Sequence, residues 1–221
     1  MLTLGFGDLW PARESMIVII DGTGPSDDKE YAKEMGNSFP SQIARQVVGS
    51  AYFRGPSLTG KEVSQIADRA VGAAQGGSGP LMLVGYSRGG CTAIVAAKRL
   101  KAQGKRVKAM FLFDAVDMQT SELGLSQTIP DNVDFVAHAR TARSLGFWAR
   151  NPVKSRFYFY NTGRWLDGDG ILEEKKFVGT HGAAGGVPWA DVVGDRACAL
   201  AVAEWMSGQL QSQGVAVTLK V

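Results

Sequence analysis

Three side chains with the right chemistry to make and break an acyl bond are spread along this chain. Ser87 lies inside Gly85-Tyr86-Ser87-Arg88-Gly89-Gly90, Asp114 closes the apolar run at 107–114, and His181 opens His181-Gly182-Ala183-Ala184-Gly185-Gly186. A serine hydroxyl is a weak nucleophile at neutral pH. It needs a base to take its proton, and that base needs an acid to hold its tautomer. A serine between glycines, where a strand breaks into a helix, sits in a strained turn with its hydroxyl exposed. The helix that follows turns its N–H groups and positive dipole end toward any anion forming there.

Hydrophobic patterning supplies the elements that must deliver these groups. Residues 81–84 are a continuous apolar run of buried parallel-strand type. Cys91, Ala93, Ile94, Ala96, Ala97 and Leu100 then give a helical face with small residues where it must lie on a sheet. Met16-Ile17-Val18-Ile19-Ile20 is another buried strand, ending in the turn-rich Asp21-Gly22-Thr23-Gly24-Pro25. No Gly-Lys-Ser/Thr follows those glycines, so they are not a phosphate-binding loop. Residues 107–114 form a third buried strand and 176–180 a short one before His181. Each candidate therefore follows the carboxyl end of a strand, and a parallel sheet would gather all three along the edge where open α/β sheets place their sites.

Other segments read as follows. A charged stretch at 27–30 precedes a helix over 41–48 capped by Ser41, and a brief strand covers 50–53. A helix occupies 61–75, and Gly104 is a helix C-cap. The segment 132–142 is a strand or a short helix, 156–160 is an aromatic strand, 190–211 is a final helix and 215–219 an edge strand. Residues 1–15 form an irregular lead-in and 118–132 an irregular loop. His138, among Val136, Ala137 and Ala139, reads as a structural histidine, which leaves His181 as the base. Asp114 is the leading acid, with Asp117, Asp167 and Asp169 as open alternatives. The oxyanion would meet the Arg88 N–H and a second amide from Gly22 or Thr23. The Arg88 side chain either meets an anionic group on the substrate or stiffens its loop through a salt bridge.

Composition narrows the classes. A chain of 221 residues fits one domain over 1–221. A net charge of +3, with 20% charged residues, is too small an excess to imply a nucleic-acid partner. The basic run Lys98, Arg99, Lys101, Lys105, Arg106 and Lys108 reads as a solvated helix end, able at most to touch an anionic membrane surface transiently. Cys91 and Cys198, each among alanines, read as small buried hydrophobes rather than a disulfide. No metal-ligand spacing occurs, and neither metal nor cofactor is expected. No apolar run reaches the roughly 18 residues of a membrane span, and the first residues lack the regions of a signal peptide. The expected location is cytoplasmic as synthesised, with export by a dedicated secretion machine compatible with the same sequence.

Asp21-Gly22-Thr23-Gly24, Gly85-Tyr86-Ser87-Arg88-Gly89-Gly90, Phe113-Asp114-Ala115-Val116 and Gly179-Thr180-His181-Gly182-Ala183-Ala184-Gly185-Gly186 occur in that order over residues 21–186. In this the chain resembles a family of bacterial and fungal α/β-hydrolase domains that includes phospholipase effectors of type VI secretion. Its members similarly carry a DGT loop after the first strand, an elbow with arginine after the serine, a W-D-T-V-like strand end and a histidine leading into V-G-G-G. Ala115 stands where the family often has threonine, and Ala184 precedes only two glycines.

The resemblance implies an α/β-hydrolase-like fold, a mostly parallel central sheet with helices on both faces. It also implies Ser87 as nucleophile, Asp114 as orienting acid and His181 as base. The expected activity is hydrolysis of a small-molecule or lipid carboxylic ester through an acyl-enzyme. The enzyme would be an esterase or thioesterase, or a lipase or phospholipase if an apolar cover from 118–150, with Leu145, Phe147 and Trp148, lies over the site. The alternative is a catalytically idle binding protein on the same fold, against which the presence of all three residues argues.

Overall fold

The computed structural model describes residues 15–117, 126–141 and 160–221. Residues 1–14, Leu145, Phe147 and Trp148 of the expected apolar cover, and most of the strand expected at 156–160 lie outside the described residues, whereas 135–141, within the span expected for that cover, is a buried strand of the central sheet. The strands in chain order are β1 (Met16–Ile20), β2 (Ala51–Phe53), β3 (Leu81–Tyr86), β4 (Ala109–Phe113), β5 (Val116–Asp117), β6 (Thr128–Ile129), β7 (Phe135–Thr141), β8 (Tyr160–Asn161), β9 (Trp165–Leu166) and β10 (Ile171–Phe177). The helices are α1 (Asp28–Met35), α2 (Phe39–Gln46), α3 (Val63–Gln75), α4 (Arg88–Ala102), α5 (His181–Ala184) and α6 (Asp195–Ser212).

A six-stranded sheet in the order β10-β7-β4-β3-β1-β2, parallel throughout, carries the core. Side chains alternate across it. Ile17, Ile19, Met82, Val84, Phe111 and Phe113 pack with residues of α2 and α6 on one face. Val18, Ile20, Leu83, Met110 and Leu112 meet α3 and α4 on the other. Covering both faces is what continuous apolar strands require, and the result is the α/β-hydrolase-type architecture expected. The chain runs outward from β1 to β2, then returns past β1 to β3 and continues to β4, β7 and β10. Its direction reverses between β1 and β3, which opens a crevice at their carboxyl ends.

Several boundaries differ from the sequence reading. The charged stretch at 27–30 opens a helix, α1, in which Asp27 caps Lys29 and Glu30 while Tyr31 and Met35 reach the core. α2 begins at Phe39 with Ser38 as its cap, rather than with Ser41. The Ser38 hydroxyl accepts from the Ser41 amide (3.1 Å), and Pro40 fits the first turn, where no amide is needed. Residues 132–142 resolve as the strand β7. β10 extends back to Ile171 through Glu173, Glu174, Lys175 and Lys176, charged on both faces because it is an edge strand. α6 starts at Asp195, after Gly194 turns the chain at φ +85°.

Residues 215–219 pair with no strand. Val215, Val217 and Leu219 point inward as alternation predicts. The outer amides are met by side chains of α2: Gln46 bonds both backbone groups of Thr218, and Gln42 both of Lys220. Cys91 and Cys198 are buried free thiols. Among the described residues, no helix is long and apolar enough to cross a membrane.

The junction of β3 with α4 admits no side chains. A Cβ at Gly85 would lie 2.5 Å from Gly90 Cα, and one at Gly89 would lie 2.2 Å from the Asp21 carbonyl oxygen. Gly72, on the outer side of α3, has nothing within 4 Å. Gly89→Ala should therefore cost at least about 2 kcal/mol by overpacking, whereas Gly72→Ala should add up to about 1 kcal/mol of helix propensity. Urea denaturation of both variants checks the opposite signs, and a Gly89→Ala protein as stable as the wild type would contradict the packing described.

Candidate active site

β3 passes the chain to α4 through Ser87, whose backbone is at φ 57° and ψ −129°. An L-residue there is strained by about 1–3 kcal/mol and stays only where its surroundings hold it. Here the Ser87 N–H donates to the Phe113 carbonyl (3.0 Å), and its own carbonyl accepts from Gly90 (3.0 Å) and Val116 (3.1 Å). The turn sends Oγ toward His181, with Nε2 2.8 Å away.

Asp114, after β4, is also at positive φ (42°). Its N–H donates to Ala139 on β7. The fully buried carboxylate accepts from the Thr141 hydroxyl (2.7 Å) and amide (3.2 Å), and its Oδ2 lies 2.8 Å from His181 Nδ1. Ser87, His181 and Asp114 thus form one hydrogen-bonded chain. With Nδ1 donating to the carboxylate, Nε2 is left as the acceptor for the serine proton.

His181 opens α5, whose cap Thr180 donates its amide (2.9 Å) and hydroxyl (2.7 Å) to the buried Asp195. The same carboxylate accepts from the Trp189 amide (2.9 Å), so it anchors both sides of the histidine loop. Tyr86 supports that loop from below. Its hydroxyl donates to the His181 carbonyl (3.1 Å), and the two rings lie 5.2 Å apart at 30°. Gly22 and Gly185 make room for the Tyr86 ring, since a Cβ on either would fall within 2.5 Å of it.

The other candidates take other places. Asp117 accepts from Ser126 (3.4 Å). Asp167 lies beyond β9 with its amide on the Ile129 carbonyl, and Asp169 lines a separate cleft with Lys101 and Lys105. His138 is fully buried: Nε2 accepts from the Ala115 amide (3.1 Å), while Nδ1 faces the Gly163 carbonyl at 3.2 Å and so bears the proton. Burial, reinforced by the charge of Arg140, lowers its pKa from 6.5 to about 4, and the ring is neutral. His138 thereby holds the turn that presents Asp114.

Of the two residues expected to offer a second donor near Ser87, Gly22 has its amide on Asp21 Oδ1 (2.7 Å). Thr23 lines the cleft with Ser87 and His181. The Arg88 side chain is directed away from solvent, into a loop. It is fully buried, its guanidinium donates to the carbonyls of Ser57 (3.2 Å) and Leu58 (2.8 Å), and it packs on Gly60. Its role is to tie down that loop, while its amide stands at the head of α4, where leading N–H groups point out along the helix axis. The cleft over Ser87 measures about 680 Å³, with Met35, Leu58, Val187 and Trp189 as apolar wall and Glu34 and Asn37 at its polar end. Thr141, Thr180 and Asp195 escaped the sequence reading, because isolated polar residues carry no pattern. Only the register of β4 against β7 brings Thr141 beside Asp114.

A family model described as "Thioesterase domain" matches residues 29–143, just over half of the chain. No curated protein matches the chain in sequence. Among solved structures it is similar to the NocB thioesterase domain of the nocardicin cluster, with 18% identity over 86% of this chain and 93% of that one and a TM-score of 0.43. It is also similar to a YdeN-like hydrolase from Pectobacterium atrosepticum, with 16% identity over 87% and 92% and a TM-score of 0.45. The RedJ thioesterase of prodiginine biosynthesis in Streptomyces coelicolor shows 12% identity over 89% and 91%, with a TM-score of 0.44.

The buried, neutral His138 makes a prediction about acid stability. Its folded pKa is depressed to about 4, so its contribution is complete above 6.5, the ordinary value, and is lost as pH falls from there toward 4. By linkage the loss amounts to about 3 kcal/mol. His138→Gln should be less stable than wild type at pH 7, and the gap should narrow by about that amount at pH 4. Urea titrations of the two proteins at both pH values check this.

Proposed function

Because the chain belongs to the thioesterase domain family, we propose that it is a serine hydrolase that cleaves esters or thioesters through an acyl-enzyme on Ser87. The observation that carries this reading is the unbroken chain from Asp114 Oδ2 through His181 to Ser87 Oγ, with both links at 2.8 Å, at the floor of an apolar-walled cleft.

Ser87 Oγ attacks the acyl carbon while His181 Nε2 takes its proton, and Asp114 stabilises the imidazolium through Nδ1. The carbonyl oxygen becomes an oxyanion that receives the amides of Arg88 and Thr23. Collapse of the tetrahedral adduct breaks the bond to the alcohol or thiol, which leaves with the proton from His181. Water then repeats the sequence on the acyl-enzyme and releases the acid. Met35, Leu58, Val187 and Trp189 suit an apolar acyl or alkyl portion. The effector-like motifs make a lipid or phospholipid ester the long-chain form of the same substrate.

The test is turnover of p-nitrophenyl esters from acetate to palmitate, and of matching acyl thioesters, by the protein and by Ser87→Ala and His181→Ala. Both variants should lose about 10⁴-fold or more in kcat, and the chain-length profile should separate esterase from lipase. A wild type inactive on every ester and thioester, or variants that match it, would overturn the assignment and favour a binding role.

A further inference from the structure

A further buried carboxylate lies beside the site and takes no part in the mechanism above. Asp21 follows β1 and is fully buried. It accepts three hydrogen bonds: the Gly22 amide on Oδ1 (2.7 Å), and the hydroxyls of Ser38, the cap of α2, and Tyr52, on β2 (2.8 Å), on Oδ2. From α1, the Tyr31 hydroxyl donates to the Gly22 carbonyl (2.7 Å) and accepts from the Gly55 amide (2.8 Å). Both backbone groups of Gly22 are therefore held. A planar trans peptide sets its N–H opposite its carbonyl, so binding the Gly22 carbonyl to Tyr31 turns the Thr23 N–H the other way. That amide has no hydrogen-bond partner among the described residues, and the buried Thr23 hydroxyl has none either. A buried polar group left unpaired costs about 1–3 kcal/mol and asks for a reason. Thr23 lines the cleft together with Ser87.

We propose that Asp21 is a positioning residue for the oxyanion hole: with Tyr31 it fixes the Gly22–Thr23 peptide so that Thr23 presents its amide and hydroxyl to the charge developing over Ser87. This rests on the reading of Ser87 as the nucleophile.

The positioning belongs to the ionised form, which accepts from all three donors. Once protonated, the carboxyl carries a hydrogen of its own and must give up Ser38 or Tyr52. Burial raises its pKa from 3.8 to about 6, against the lowering effect of those hydrogen bonds. The groups facing it are the phenols of Tyr31, Tyr52 and Tyr86, all pushed above their ordinary value by burial, with Arg54 and Arg45 acting on Tyr31 and Tyr52. Activity should fall as pH drops through about 6. Stability has the opposite sign, because a raised carboxyl pKa means that the protonated form favours the fold. For Asp21 alone, then, acid lowers activity while it favours the fold.

The experiment compares wild type, Asp21→Asn and Tyr52→Phe on a p-nitrophenyl ester across pH, alongside Ser87→Ala and labelling by a fluorophosphonate. Labelling of Ser87 in the wild type and loss of turnover in Ser87→Ala secure the underlying reading; their failure overturns it and this proposal together. With that reading secured, Asp21→Asn should lower kcat about 10- to 100-fold with KM within about threefold, somewhat less than deletion of an oxyanion donor. Its acid limb should involve one proton fewer. Tyr52→Phe removes a single hydroxyl from a residue 39% exposed and should keep the fold. Losing one donor to the charged carboxylate should move its acid limb to higher pH. A folded Asp21→Asn with wild-type kcat, or a Tyr52→Phe acid limb that stays in place, overturns the proposal. If Asp21→Asn does not fold, the Tyr52→Phe limb decides alone.

Discussion

A relay of hydrogen bonds across three neighbouring strands, all main-chain but for the His138 ring, keeps Ser87 and Asp114 at positive φ, 57° and 42°. The Ser87 amide reaches Phe113, the Ser87 carbonyl takes the Val116 amide, the Asp114 amide reaches Ala139, and His138 accepts from Ala115. Each strained residue would relax by about 1–3 kcal/mol without these bonds. The relay exists only because β3, β4 and β7 are adjacent and in register. Site geometry is thus a property of the sheet, and the loops that carry chemistry borrow their rigidity from it.

The rest of the molecule accommodates that relay. α4 must begin immediately after Ser87, which brings its first turn against β1 and β3 and leaves room only for Gly85, Gly89 and Gly90. Arg88, first in the helix, is buried and used as a tie for the loop near Ser57. The histidine loop, on the other side, is anchored by Asp195 and Tyr86 rather than by strand pairing. One wall of the site is held by backbone and the other by buried side chains.

This division explains what could be read in advance. β1, β3 and β4 are covered on both faces and so are continuous apolar runs, and α3 and α4 carry their small apolar faces openly in the sequence. α1 escaped because most of its residues face solvent, and the part of β10 before Lys176 because an edge strand need not be apolar. The inward alternation at 215–219 was legible, but its partners, Gln42 and Gln46, are helix side chains that no strand pattern reveals. Within the candidate site, Ser87, Asp114 and His181 were legible as residues at strand ends. The residues that orient them, Thr141, Thr180 and Asp195, became visible only with the register of β7 and the path of the chain into α6.

Two buried titrating groups, His138 and Asp21, stand on opposite sides of β3 in the sheet order and respond to acid in opposite senses. The imidazole binds its proton less readily in the fold, at about 4 instead of 6.5, and withdraws stability across that window as pH falls. The carboxyl binds its proton more readily, at about 6 instead of 3.8, and returns stability across nearly the same window. The two contributions therefore oppose one another as pH falls. The two groups of opposite proton affinity sit on either side of Ser87, His138 bonded to the turn after Asp114 and Asp21 to the amide of Gly22. Acidification therefore acts on the two supports of the site in opposite senses, loosening the one and tightening the other.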